Sequence, residues 1–266
     1  MYKEGLVKTI TELKKYKEQV INAKDYAEIL NMAYPTDIYL RLSTDLREII
    51  RLAYIEVRKD YFKKDESINY SPDTDYYYSR EDIKALFRFC GDNAIFSAMH
   101  TQTMIDIVKQ KVEEAKILKI PFAKFISTFT LNEYETDNLY YISHSLKFSL
   151  KQTKLAGLWQ NYQVQKDVYP YLQYNTGDKC RSQGYDIELE GVVRSVDDTF
   201  WDKYYPLNNF DCDCSLIQLS EAEYKNMEQN KLKTRKHFSI PKGYARNVGK
   251  DLILYCHWLD QLFPDY

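Results

Sequence analysis

Long apolar runs are missing from this 266-residue sequence. No window approaches the roughly 18–20 uninterrupted apolar residues that a spanning helix needs, which argues against a membrane span. The opening stretch, MYKEGLVKTITELKK, lacks the apolar core of a secretory signal, so none is expected. Charge of one sign is absent too. Lys and Arg number 37 against 39 Asp and Glu, a net of -2 that gives no global pull toward nucleic acid or acidic lipid. Glycine is scarce, eight in all, with only Gly5, Gly91 and Gly157 before position 170. That dispersal excludes a Gly-rich phosphate loop or a dinucleotide fingerprint. The four histidines, His100, His144, His237 and His257, sit in no recognisable nucleophile or metal motif. Five cysteines are an odd number in a long chain and do not make a disulfide framework, so a reducing compartment is the simpler reading.

What is present is apolar and aromatic. At 44% hydrophobic and 15% aromatic, the chain is too rich in core-forming residues to be disordered. Tyrosine stands out with 25 copies. Its apolar body and polar tip suit interfaces, although an AT-rich genome would inflate Tyr together with Lys, Asn and Ile.

Turn formers divide the chain unevenly, so long helices are expected first and short elements last. Leu6, Ile10, Leu13, Val20, Ala23, Ala27 and Leu30 form one helical stripe, ended by Pro35. Thr36 and Asp37 can open a second helix carrying Leu42, Leu46, Ile49, Ala53 and Val57. Residues 64–80 read as a polar surface loop. A short helix from Ser79 to Phe89 and another from Thr101 to Ile120, closed by Pro121, follow. Asn132 to Gln165 is the longest helical candidate, and its Ala156-Gly157 pair leaves room for a close helix neighbour. Strands are expected over 169–174, 192–196 and 215–219, and a helix from Ser220 to about Leu232. The fold class is therefore α+β: a long-helix N-terminal region, 1–135, then a compact α+β domain with a small sheet, 136–266.

Within 169–223 the residues become specific. An aromatic strand with Tyr171, Leu172 and Tyr174 runs into Thr176, Gly177 and Asp178, and Leu189, Glu190 and Gly191 follow. Then come Asp197, Asp198, Phe200, Trp201, Asp202, Tyr204, Tyr205 and Pro206, and finally Asn208, Asn209, Cys212 and Cys214. In order and spacing this segment resembles the Mu F-like, or minor head protein, domain of tailed phages. The later Arg246-Asn247-Val248-Gly249-Lys250 resembles an element that often follows it. One departure is clear: where the family often carries Arg-x-x-His or Cys-x-x-Cys, residues 178–186 hold Cys180 and Arg181 but no histidine.

The resemblance implies a non-enzymatic head-morphogenesis protein, present in the virion and, during assembly, in the host cytoplasm. Its partners would be portal protein, capsid protein or both, its helices supplying the docking surface, with no membrane partner and no cofactor. Read as residues, the motif is scaffolding, with aspartates bonding turn amides and aromatics as anchors. Three side readings stay open. Cys180, Cys212 and Cys214 are read first as thiols, with a zinc site or a disulfide as alternatives. Asp197, Asp198, Asp202, Asp211 and Asp213 could serve a small metal-dependent nuclease or toxin-like enzyme, although the run to Tyr266 is short for an appended domain of that kind. Lys231, Lys233, Arg235 and Lys236 form a basic run that is a solvated face or a contact with phage DNA phosphates.

Overall fold

The computed structural model describes residues 7–58, 79–129, 132–184, 187–209, 212–227, 240 and 243–252; the side chains of 7, 8, 10 and 132–145 are outside that description. The architecture is α+β, mostly helical with one three-stranded antiparallel sheet. In chain order the helices before the sheet are α1 Val7–Ile21, α2 Tyr26–Leu30, α3 Thr36–Arg58, α4 Arg80–Ile117, α5 Phe122–Thr128 and α6 Asn132–Gln165. Strand β1 Tyr171–Asn175, helix α7 Asp178–Ser182 and a 3-10 turn Ile187–Leu189 follow. Then come β2 Val193–Ser195, α8 Phe200–Tyr204, β3 Ser215–Leu219, α9 Glu221–Asn226 and α10 Val248–Asp251.

Three helix expectations change. The stripe expected to run from Leu6 to Leu30 breaks after Ile21, because Asp25 turns to extended backbone and its carboxylate accepts the Glu28 N–H at 2.8 Å, starting α2. The helices expected over 79–89 and 101–120 are one helix of 38 residues. Gly91 weakens a helix only through its backbone entropy, and no proline interrupts the run. The buried hydroxyls within it bond back to the preceding turn, Ser97 to the Asn93 carbonyl and Thr101 to that of Ser97, both at 2.8 Å. The helix expected to reach Leu232 closes at Asn226. Of the loop expected over 64–80, residues 64–78 lie outside the described residues, and Arg80 already opens α4.

The chain divides into two compact units, Met1–Ile50 with Cys90–Lys147, and Arg51–Phe89 with Phe148–Tyr266. In the first, the helical stripes meet in one core: Tyr16, Val20, Ile29 and Ile38 join Met104, Val108, Val112 and Phe125. Lys119 takes a left-handed φ of 52 to leave α4, a conformation a non-glycine residue adopts at a cost. The Tyr26 hydroxyl donates to the Ile120 carbonyl at 2.9 Å and pins that exit.

In the second unit the end of α3 packs beside α6. A methyl added at Gly157 would stand 3.4 Å from Val57, so the small pair does admit a close neighbour. Arg58 and Asp82, with side chains only 6% and 1% exposed, pair at 2.9 Å. Tyr54 donates to Asp82 at 2.8 Å, and Arg58 donates to Asn161. Burial pushes the Asp82 carboxyl up, but bonds from Arg58, Ser79 and Tyr54 outweigh it and hold it below the ordinary range. The sheet has the order β2-β1-β3, with Leu172 opposite Arg194 on one side and opposite Gln218 on the other. β1 alternates half-buried and buried residues, so Leu172 and Tyr174 face the interior.

Candidate functional site

The segment singled out in the sequence packs as a scaffold around the sheet. Asp198 accepts the Phe200 N–H at 2.7 Å and starts α8. That helix buries Trp201 fully, and its indole N–H donates to the carbonyl of Ser195 at the end of β2, at 2.8 Å. Tyr205, also fully buried, donates to the Leu155 carbonyl at 2.8 Å and meets Trp159 edge-on at 5.2 Å. Burial pushes its phenol well above the ordinary range. Pro206 is buried, and Asn208 donates to the Tyr174 hydroxyl at 2.9 Å, tying the end of this run to β1. Phe200 is half-buried, with the Arg194 guanidinium over its ring and the Tyr204 ring tilted against it at 4.6 Å.

The aspartates go separate ways. Asp197 pairs with Lys166 at 3.1 Å and Asp202 with Lys250. Asp213 accepts the N–H groups of Lys179 at 2.9 Å and Cys180 at 3.1 Å, capping α7 from across the chain. Partial burial raises the Asp213 carboxyl, and those amides outweigh it and hold it below the ordinary range. Asp211 lies outside the described residues. Among the described residues, the acidic side chains that a nuclease would use are not gathered in one place.

What the fold does gather is thiols. Cys180 on α7 and Cys212 and Cys214 at the entry to β3 are all buried, and their sulfurs lie within 4.8 Å of one another. They are the single group of three or more metal-ligating residues among those described. None of the three is in a disulfide. A bond from the Cys212 thiol, outweighing burial, draws the Cys180 thiol below its ordinary range, helped by the Asp213 amide and Asn209. The same pair pushes the Cys212 thiol up. Around the cluster, the Asn209 amide reaches the Cys180 sulfur at 3.7 Å and the Lys151 ammonium donates to the Cys212 carbonyl at 2.9 Å.

Three tight contacts fix the backbone of this unit. A side chain at Gly177 would put its first carbon 2.2 Å from the Asp213 carboxylate, so only glycine lets the two segments meet. The Thr176 N–H donates to Glu190 at 2.6 Å, and Gly191 turns the chain at φ 72. Asn247 caps α10 by accepting the N–H groups of Gly249 and Lys250, which presses Gly249 onto Trp159. The contacts that Asp213, Asn209 and Lys151 make here could not be read from local sequence, because each acts on a segment at least 29 residues away. Lys231, Lys233, Arg235 and Lys236 fall outside the described residues.

No described helix is long and apolar enough to cross a membrane. No family model matches the chain, and no solved structure does. The chain is 33% identical over 72 residues to a protein of Escherichia phage Mu, provisionally named capsid assembly protein F. That likeness covers 27% of this chain and only 16% of the phage protein.

Proposed function

We propose that this chain is a minor head-assembly protein of a tailed phage or prophage. It docks on portal protein, capsid protein or both while the head is built, and assists retention or delivery of DNA. The observation that carries this is the partial likeness to the phage Mu capsid assembly protein F. The packing of the 169–214 segment is consistent with it. The motif's polar groups are taken up by bonds within the fold, as in a scaffold that presents a surface, with the aspartates dispersed rather than convergent.

The docking surface falls to the helices. On α4, Ile83 and Phe87 lie one turn apart and are 58% and 81% exposed, an apolar pair that a partner would cover. The protein acts in the host cytoplasm during assembly and is carried in the virion. The basic run 231–236 is the phosphate contact in this reading, and its binding to DNA weakens steeply with salt.

Co-expression of the tagged chain with the portal and major capsid proteins of the same phage tests it. The chain should elute with at least one of them, and Phe87→Asp should lower the yield of the complex while leaving the circular dichroism spectrum unchanged. Elution with neither, together with absence from purified virions by mass spectrometry, would overturn the reading.

A further inference from the structure

We infer that Cys180, Cys212 and Cys214 bind a single zinc ion that clamps helix α7 to the start of β3. Thiolates bound tetrahedrally at about 2.3 Å from zinc stand about 3.8 Å apart, so sulfurs already within 4.8 Å need only a small inward movement. The three ligands come from two segments more than thirty residues apart, which the sheet and the Asp213 cap bring together independently of any metal. The frame is therefore prepared before the ion arrives.

The surroundings suit bound thiolates better than they suit an oily core. A buried thiol packed as a small hydrophobe wants apolar neighbours. Here an amide N–H from Asn209 points at the Cys180 sulfur, as the outer shell of a thiolate ligand commonly does. Three thiolates around a divalent ion leave one excess negative charge. The Lys151 ammonium, fixed on the Cys212 carbonyl, stands beside the cluster to offset it. Soft sulfur ligands favour zinc over magnesium or calcium. The described side chains supply three of the four ligands that tetrahedral zinc takes. Binding deprotonates the thiols, and those protons go to solvent. The role is mechanical, and it holds whether or not the chain docks on a phage head.

The full chain, purified under reducing conditions, should carry one equivalent of zinc by elemental analysis. After chelation, cobalt(II) added to the metal-free chain should give thiolate-to-cobalt charge-transfer absorption that saturates at one equivalent. Zinc should protect these three cysteines, and not Cys90, from alkylation as mapped by mass spectrometry. Cys212→Ser should lose the metal and Cys90→Ser keep it. Because Cys212→Ser can fail to fold, the cobalt titration and alkylation map of the unaltered chain decide the matter. Absence of charge-transfer absorption, equal alkylation with and without zinc, or a disulfide among the three would each overturn the inference.

Discussion

The two units reach stability by different routes. The first is built from stripes: Val108, Val112 and Ala115 repeat along α4 and meet Tyr16 and Val20 from α1 in a core where each contact is one of many alike. The sheet-bearing unit is held at points, by single large side chains whose polar tips also find a partner, such as Trp201 on Ser195, Tyr205 on Leu155 and Asn208 on Tyr174. A core made of stripes tolerates substitution, because neighbours share the loss. A core made of anchors fails at each anchor.

The largest effect should come from Trp201→Ala. Deleting a fully buried indole and its bond costs about 3–5 kcal/mol, enough to unfold the sheet-bearing unit while the first unit keeps its helicity. Guanidinium unfolding followed by circular dichroism and fluorescence would then show two separated transitions. A single shared transition would remove the contrast between the units.

Asp82→Ala should rank next, because it leaves the Arg58 guanidinium buried without its carboxylate, a loss of about 3–5 kcal/mol. The same pair predicts a pH dependence. Asp82 titrates below its ordinary value in the folded state, so its stabilisation is complete above that ordinary value, near pH 4. It is lost as pH falls through the lower folded value. Acid titration of stability should show this loss in the parent chain and not in Asp82→Asn.

The glycines sharpen the comparison. Gly249→Ala would put a methyl 2.2 Å from the Trp159 side chain, and overpacking of this kind costs about 1–3 kcal/mol. Gly91→Ala, in the middle of α4 with nothing within 4 Å of the added carbon, should instead stabilise by about 0.5–1 kcal/mol. Opposite signs for one substitution in the two regions would be the clearest sign that they are built differently. Ser220→Ala, which removes the capping box of the exposed helix α9, should cost about 1 kcal/mol or less.

What could be read from the sequence follows the same division. The start of α3 at Thr36, the bounds of α6 and strand β3 were legible, since each rests on local spacing. The unbroken α4 was not, because Gly91 looks like punctuation until the helix around it is seen to continue. Strand order and the Asp213 cap depend on partners far along the chain. So does the meeting of Cys180 with Cys212 and Cys214, which spacing alone left open between thiols, zinc and a disulfide. The individual bonds of the 169–214 motif could not be read from its sequence.

The proposed head-assembly role meets its most direct test in an in-frame deletion of the gene from the phage or prophage that carries it. After induction, heads are counted by electron microscopy and infectious particles by plaque assay. The account predicts a loss of normal filled heads, restored by the gene in trans. Normal head counts and undiminished titre from the deletion would contradict it.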